Sequence, residues 1–397
     1  MNLLSVFIPI LSCLILLTSG SLTESSAAPA WQLRPSLSLS ETYNTNIFSS
    51  TNETDDFITG IGANLNTTYR GANTNLQATY LATMNTYAHH PELNVVTHDG
   101  SINLDMARWL KKYFRDVSIN VTEDFTYTPD LRDYYFDAER SGDPSLSNYG
   151  IRTGRNDSFR NAASIGMRLP LSQKQDLTLR YSNLLTEFSD PLLIDNISNS
   201  LAIGTSYQIR RDTLYGDIGL RNSTADDAGI NSYSVTTGLR HMFSPAIQGE
   251  FSVGGEMIDH ETTGHTSNVR GTLRFSKTSE FITYHIGYSR EMNSVSGVSV
   301  SPVVSQTVYI NIGSRHTRQL SSNIGANYAK NKSLDGDDVD VQSYNVSAGA
   351  VYTIRQWLTG SLSISHFVQD SEVLSAQDIQ DIVRNLIMFQ VAATWGT

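Results

Sequence analysis

Residues 57–70 read FITGIGANLNTTYR. Phe57, Thr59, Ile61, Ala63, Leu65, Thr67 and Tyr69 share one parity; Ile58, Gly60, Gly62, Asn64, Asn66, Thr68 and Arg70 share the other. In an extended chain successive side chains point to opposite faces, so this period of two gives one greasy face and one wet face. The run is 14 residues long, well beyond the about five or six of a usual globular strand.

The same alternation recurs along the chain, for example at Leu201, Ile203, Thr205, Tyr207 and Ile209 against Gly204, Ser206, Gln208 and Arg210, and at Tyr344, Val346, Ala348, Ala350 and Tyr352 against Asn345, Ser347, Gly349 and Thr353. Between such runs the connections sort into two kinds. Short ones fall near 71–73, 110–113, 170–174, 210–212, 242–246, 277–279, 315–319 and 355–357. Long ones fall near 45–56, 89–98, 128–157, 189–198, 222–231, 259–267, 291–305, 331–342 and 369–384. The two kinds alternate, which predicts about 18 strands, 16–18 allowing for uncertain ends, each about ten residues or longer. An even number of long two-faced strands, short turns at one end and long loops at the other describe a transmembrane antiparallel β-barrel, all-β in class, with periplasmic turns and extracellular loops. A soluble β-sandwich also alternates, but its strands are shorter and its loops need not sort by length.

Composition fits this reading. The chain has 397 residues, 39% hydrophobic and 17% charged, against about 45–50% and about 25% in average chains. Its aromatics are mostly Tyr, 19 beside 14 Phe and 4 Trp, and aromatic and β-branched side chains suit a pleated surface. A net charge of −11 argues against a nucleic-acid partner, which needs clustered cations. One cysteine, Cys13, excludes a disulfide scaffold.

Residues 3–17, LLSVFIPILSCLILL, have the length of a signal-peptide core and fall short of a spanning helix. Ala28-Pro29-Ala30 then offers a cleavage site, with a cut near Gly20 as the alternative. The expected organisation is a cleaved signal over 1–30 and a single outer-membrane barrel domain over 31–397, in the outer membrane of a Gram-negative bacterium.

Three stretches, WQLRPSLSLSETYNTNIF (31–48), DDFITGIGANLNTTYRG (55–71) and DFTYTPD (124–130), resemble a family of β-barrel porins of Gram-negative bacteria, often encoded beside exopolysaccharide or exosortase (PEP-CTERM) loci. The resemblance covers most of the chain after the signal and rests on strand patterns. It implies an outer-membrane location and a porin-like conduit or accessory role in exopolysaccharide export. Polysaccharide and polysaccharide-export proteins would then be the partners, besides outer-membrane lipid. A general small-solute porin and a plugged, structural or surface-binding barrel are the alternatives. A homo-oligomer stays open.

No phosphate loop, HExxH or nucleophile elbow is present, and no cofactor is expected. A barrel hydrolase would draw on His265 with Ser267, on His285 among Thr283, Ser289 and Arg290, or on His366 near Asp370; with nine His and abundant Ser such neighbours arise by chance, so no catalytic residue and no enzyme are expected. Asp335, Asp337, Asp338 and Asp340 form either a solvated acidic loop or a weak Ca²⁺ site lacking the closing Glu of an EF-hand. Tyr134, Tyr135, Phe136 and Asp137, in the long loop 128–157, could stack on sugar rings, fold into the lumen or lie on the surface. Finally, Arg70, Arg168, Arg180, Arg221, Arg240, Arg270 and Arg274 fall on the wet face. There they would either favour anions or pair with Asp105, Asp124, Asp217, Glu250 and Glu256. Glu123 falls on the apolar face and is expected at the rim, where its cost is small.

Overall fold

A computed structural model describes residues 30–71, 74–106, 117–129, 151–152, 154–225, 228–260, 264–293, 303–333, 339–372 and 380–395. They form 18 strands: β1 (Ala30–Asn44), β2 (Asp56–Arg70), β3 (Asn75–Tyr87), β4 (Val95–Asp105), β5 (Ser118–Thr128), β6 (Ser158–Pro170), β7 (Gln175–Phe188), β8 (Asn196–Ile209) and β9 (Asp212–Ala225). The second half continues with β10 (Ala228–Ser244), β11 (Ile247–His260), β12 (Gly264–Thr278), β13 (Ile282–Asn293), β14 (Val303–Arg315), β15 (Leu320–Ser333), β16 (Asp340–Arg355), β17 (Leu358–Ser371) and β18 (Ile382–Thr394). Each pairs antiparallel with the next, and β1 pairs with both β2 and β18, Leu37 lying opposite Ala63 on one side and Ala393 on the other. The ring is closed. Closure gives every wall strand two partners, which a lipid surround demands because it offers no water to an open edge.

Ala30, which opens β1, and Thr394, which closes β18, lie at the end of the short turns, the periplasmic end by the rule for such barrels. Large side chains point outward and stay uncovered: Leu37, Ile61, Ile203, Ile218, Val235 (60% exposed), Val269, Leu273 and Phe389 among them. In a soluble chain this belt would far exceed the few hundred Å² of a tolerated apolar patch; here it is the lipid face. Aromatic side chains border it. Trp31 lies against Tyr69 (centroids 4.8 Å) and Trp357 is exposed at the periplasmic end, while Tyr43–Phe57 (4.9 Å) and Tyr328–Tyr344 (5.0 Å) lie towards the other. Tyr and Trp suit a boundary between lipid and water.

From β5 to β12 one cross-strand row on the outward face is largely polar: Glu123, Ala163, Asn183, Asn199, Asn222, Asn231, Asp259 and His265. Asn161 donates to Glu123 (3.1 Å), Asn183 to Asn199 (3.0 Å) and Asn222 to Asn231 (2.9 Å). Glu123 lies midway along β5 within this row, with Phe125 and Tyr127 beyond it on the same face, rather than at the rim expected of it.

Two of the long connections are shorter than the sequence suggested. The stretch 222–231 is mostly ladder, Thr224 opposite Gly229, and the β9–β10 connection is residues 226–227. Likewise 259–267 is mostly strand, with a connection at 261–263. In these two stretches the outward face carries polar and small residues such as Thr224, Gly229, His265 and Ser267, so the hydropathy signal fades while backbone pairing goes on. Between β3 and β4 the connection holds one short 3-10 turn, Pro91–Leu93.

What is buried lies inside the ring, towards the outer end. Asn44, Asp56, Asn196, Ser223, Ser305, Asn331, Asn345 and Gln369 are almost fully covered on inward positions, with Val303, Val341, Phe367 and Ile382 among them. This core is largely polar, because the inward face of the strands is polar.

Candidate functional site

Two segments enter the ring at its outer end. The first precedes β6. Residues 151–152 and 154–157 close the connection from β5. The Arg152 N–H donates to Gln369 Oε1 (2.8 Å), and Gln369 Nε2 donates back to the Arg152 carbonyl (3.0 Å) and to that of Gln380 (3.0 Å). Arg152 also lies over the Phe367 ring, 4.7 Å from its centroid. Gln369 and Phe367 stand on the inward face of β17, nearly opposite β6 in the ring. Between these walls Arg155 donates from its backbone to the Phe48 carbonyl (3.0 Å), and from its guanidinium to Tyr87 Oη (2.6 Å) and the Leu93 carbonyl (3.1 Å). The segment is thus a strap across the mouth. Ile151 and Ile47 beside it are each 1% exposed.

The strap's contacts at Phe48 and Leu93 are themselves fixed. Asp56 heads β2, and its carboxylate accepts from the N–H of Phe57, His89 and His90 and from Nδ1 of both histidines (2.8–3.1 Å). A buried carboxylate is tolerated only when donors surround it in this way. The His90 ring meets Phe48 edge-on at 5.9 Å.

The second segment is the outer end of the β13–β14 hairpin. The β12–β13 ladder stops at Gly271–Arg290, although β12 continues to Gly264 on the β11 side and β13 to Asn293 on the β14 side. Arg290, Met292 and Val304 share the outward parity of Tyr288 and Val308. Yet Met292 and Val304 are buried, clustered with Ile230 and Ile258 from the inward faces of β10 and β11. Arg290 Nη2 donates to Oδ1 of Asn268, an inward residue of β12 (3.1 Å). The outward face of this hairpin end therefore meets the inward face of its neighbours: the strand ends at Arg290–Met292 and Val304 pass inside the wall.

Below these two segments the inward face is open and carries the arginines. All seven candidates occupy inward positions, and they divide. Arg168 pairs with Asp176 (2.6 Å) and Arg240 with Glu250 (3.1 Å), whose other oxygen accepts from Tyr215 Oη (2.8 Å). Arg274 lies directly across from Glu250. Arg270 acts electrostatically on Asp217. Arg221 faces Ser200 and Ser232, and Arg70 ends β2 at the periplasmic rim. Arg180 has no hydrogen bond or ion pair among the described residues, and its cross-strand neighbours are Gly166 and Ala202. Tyr215 lies over Gly238, where an added Cβ would also meet the Phe251 carbonyl at 2.8 Å, so this close approach needs glycine.

The other candidates scatter. Tyr134, Tyr135, Phe136, Asp137, Asp335, Asp337 and Asp338 lie outside the described residues, as does Cys13. Asp340 opens β16 and pairs with Lys332 at 3.1 Å. His265 pairs with Asp259 (3.2 Å), and with Ser267 it stands on the outward side. His366 is also outward and meets Asn385 at 2.7 Å. His285 is inward, but Arg290, expected beside it, has the opposite parity and reaches Asn268 instead. His265 and His366 thus stand on the outward side and His285 on the inward side, across from Ser276, so the three do not converge. Sequence reading missed Gln369, Phe367, Arg155 and Asp56; the His89-His90 doublet was the one local signal near them.

No known protein-family model and no curated protein matches the chain. Among solved structures it is similar to Pseudomonas aeruginosa OccK2 (OpdF), determined in complex with glucuronate (9% identity, TM-score 0.48, 91% of this chain and 98% of that one). It is similar as well to the outer membrane protein opdK of Pseudomonas aeruginosa (10%, 0.47, 91% and 99%) and to a BenF-like porin from Pseudomonas fluorescens Pf-5 (10%, 0.47, 92% and 99%). By its own closed ring, lipid-facing belt and polar bore, the chain is a porin-like β-barrel of the Gram-negative outer membrane.

Proposed function

We propose that the barrel is a conduit for small hydrophilic solutes across the outer membrane. One observation carries this reading: a wide polar bore, open in its periplasmic half, is narrowed at the outer mouth by the strap and the tucked hairpin. A ring of about 16–18 strands leaves an aqueous channel unless something enters it. Here two segments enter, and neither is apolar throughout. Export of exopolysaccharide, the role implied by the family resemblance, needs a bore clear along its length, and the strap argues against that.

The test is conductance of the folded chain in planar bilayers, with swelling of liposomes in sugars of graded size. We expect small, stable openings, swelling with a pentose or hexose and none with a tetrasaccharide, and indifference to the host's polysaccharide. A heat-modifiable, folded barrel that never conducts, or openings that the polysaccharide blocks, would overturn the reading.

A further inference from the structure

The described turns at the periplasmic end carry Lys174, Arg210, Arg211, Arg315, Arg318 and Arg355 in or beside them, against the acids Asp212 and Glu280. The chain as a whole has a net charge of −11, so this rim runs against the overall balance. Its densest point is the β8–β9 turn. Ile209 pairs with Asp212, so Arg210 and Arg211 are the whole of that turn. Arg210 has φ 54°, a left-handed conformation in which two-residue hairpin turns favour glycine or asparagine. An arginine there costs backbone energy, and such outliers gather where function wants them. Both arginines are exposed. Arg211 Nη1 donates to the Phe243 carbonyl (3.4 Å), and neither arginine has an ion pair among the described residues. Asp212, next in the chain, is bonded to His241 at 2.6 Å, and Glu280 stands further along, on the β12–β13 turn.

This turn borders the lipid face. Tyr207, Ile209 and Leu214, on its two strands, are exposed. Along the rim, Phe243 at the end of β10 and Phe281 on the β12–β13 turn are each more than half exposed. Between them Lys277, on the outward face of β12, lies over the Tyr284 ring with Nζ 5.9 Å from the centroid. We infer that the rim from β8 to β13, centred on Arg210 and Arg211, is a docking surface for anionic phospholipids of the inner leaflet, the phosphate on the guanidiniums and the acyl chains on the exposed side chains beside them. Three arguments carry this. The surface continues the lipid belt, so its occupant brings an apolar chain as well as a charge. A guanidinium offers phosphate two parallel hydrogen bonds, and Lys277 adds a point charge within reach of the same headgroup layer. And the place at the periplasmic end specifies the leaflet. The inference is independent of what the bore carries.

The probes are spin-labelled phosphatidylglycerol and spin-labelled phosphatidylcholine, added to the folded full-length barrel in phosphatidylcholine vesicles and read by electron paramagnetic resonance. We expect the anionic lipid to be preferred at the barrel surface by at least about twofold, and the preference to vanish in about 1 M KCl, where screening acts over about 3 Å. Arg210→Gln combined with Arg211→Gln should bring the preference close to one. Arg34→Gln combined with Arg70→Gln removes the same charge from the bore side of the rim, and should leave it unchanged. Arg210→Gly, which fits the turn better, should raise the urea midpoint of unfolding while lowering the preference, a split that a purely structural turn would not show. A preference unchanged in the Arg210–Arg211 variant, or lowered as much by the bore-side pair, would overturn the site. No preference in the wild-type barrel would also overturn it, and would leave these cations to an acidic periplasmic protein.

Discussion

At the scale of the residue, Gln369 does what no strand pattern announces. It is 1% exposed, and its amide pairs with both the N–H and the carbonyl of Arg152. Gln369→Leu removes both partners and leaves backbone groups of the strap buried without them, at about 1–3 kcal/mol each. The strap should loosen more easily than the ring breaks, because the ring is held by its own ladders. We therefore expect larger or noisier single-channel openings with an unchanged folded band on unboiled gels. Wild-type conductance in this variant would show that Gln369 does not hold the constriction. Arg155 works from the other wall through Tyr87 and Leu93, so combining Gln369→Leu with Arg155→Met should open the mouth further than either alone.

At the scale of the element, the β13–β14 hairpin shows how a ladder can end early without leaving a hole. Met292 and Val304 carry outward parity but find Ile230 and Ile258, so apolar packing replaces the missing β12–β13 hydrogen bonds. Truncating a buried methionine costs about 2–5 kcal/mol, here confined to the outer strand ends of the hairpin. Met292→Ala should speed amide exchange in the outer ends of β13 and β14 and expose the bond after Arg290 to trypsin, with little change in β2–β8. Uniform acceleration around the ring would instead mean that the hairpin is part of one cooperative unit. The polar row from Glu123 to His265 belongs to this scale too. It runs across eight adjacent strands, and the strands pair on beyond it.

At the scale of the whole molecule, the bore is asymmetric: covered towards the outside, open towards the periplasm. Ser206 lines a recess of about 700 Å³ near the short turns, together with Arg168 and Arg240. Asn345, inward on β16, is 2% exposed. In a chain with Cys13 removed, Ser206→Cys should react with a bulky maleimide and Asn345→Cys should not. Equal labelling would mean that the outer half is as open as the inner, and the size limit expected of the conduit would lose its basis. Charge is distributed at this scale as well. The candidate arginines sit on one arc, β6–β12, except Arg70, and acids hold several of them.

Fold class, strand number and the facing of nearly every strand were legible in the sequence, because lipid outside and water inside impose a period of two that survives single-residue exceptions such as Glu123. The division into short turns and long loops was legible for the same reason, with three exceptions: near 110–113, where a short turn was expected, β4 ends at Asp105 and β5 begins only at Ser118, and at 222–231 and 259–267 the outward face leaves the lipid and the period loses its contrast while the backbone pairs on. The seven arginines could be placed on the wet face, but not sorted, since their acids come from strands distant by up to tens of residues: Arg240 meets Glu250, and Arg270 senses Asp217. The strap and the tucked hairpin were beyond reach. Gln369 and Arg152 are 217 positions apart, and nothing in either local pattern marks them as partners. Alternation is a property of neighbours in the chain and fixes the wall; what fills the bore depends on contacts across the ring, which only closure of the barrel brings together.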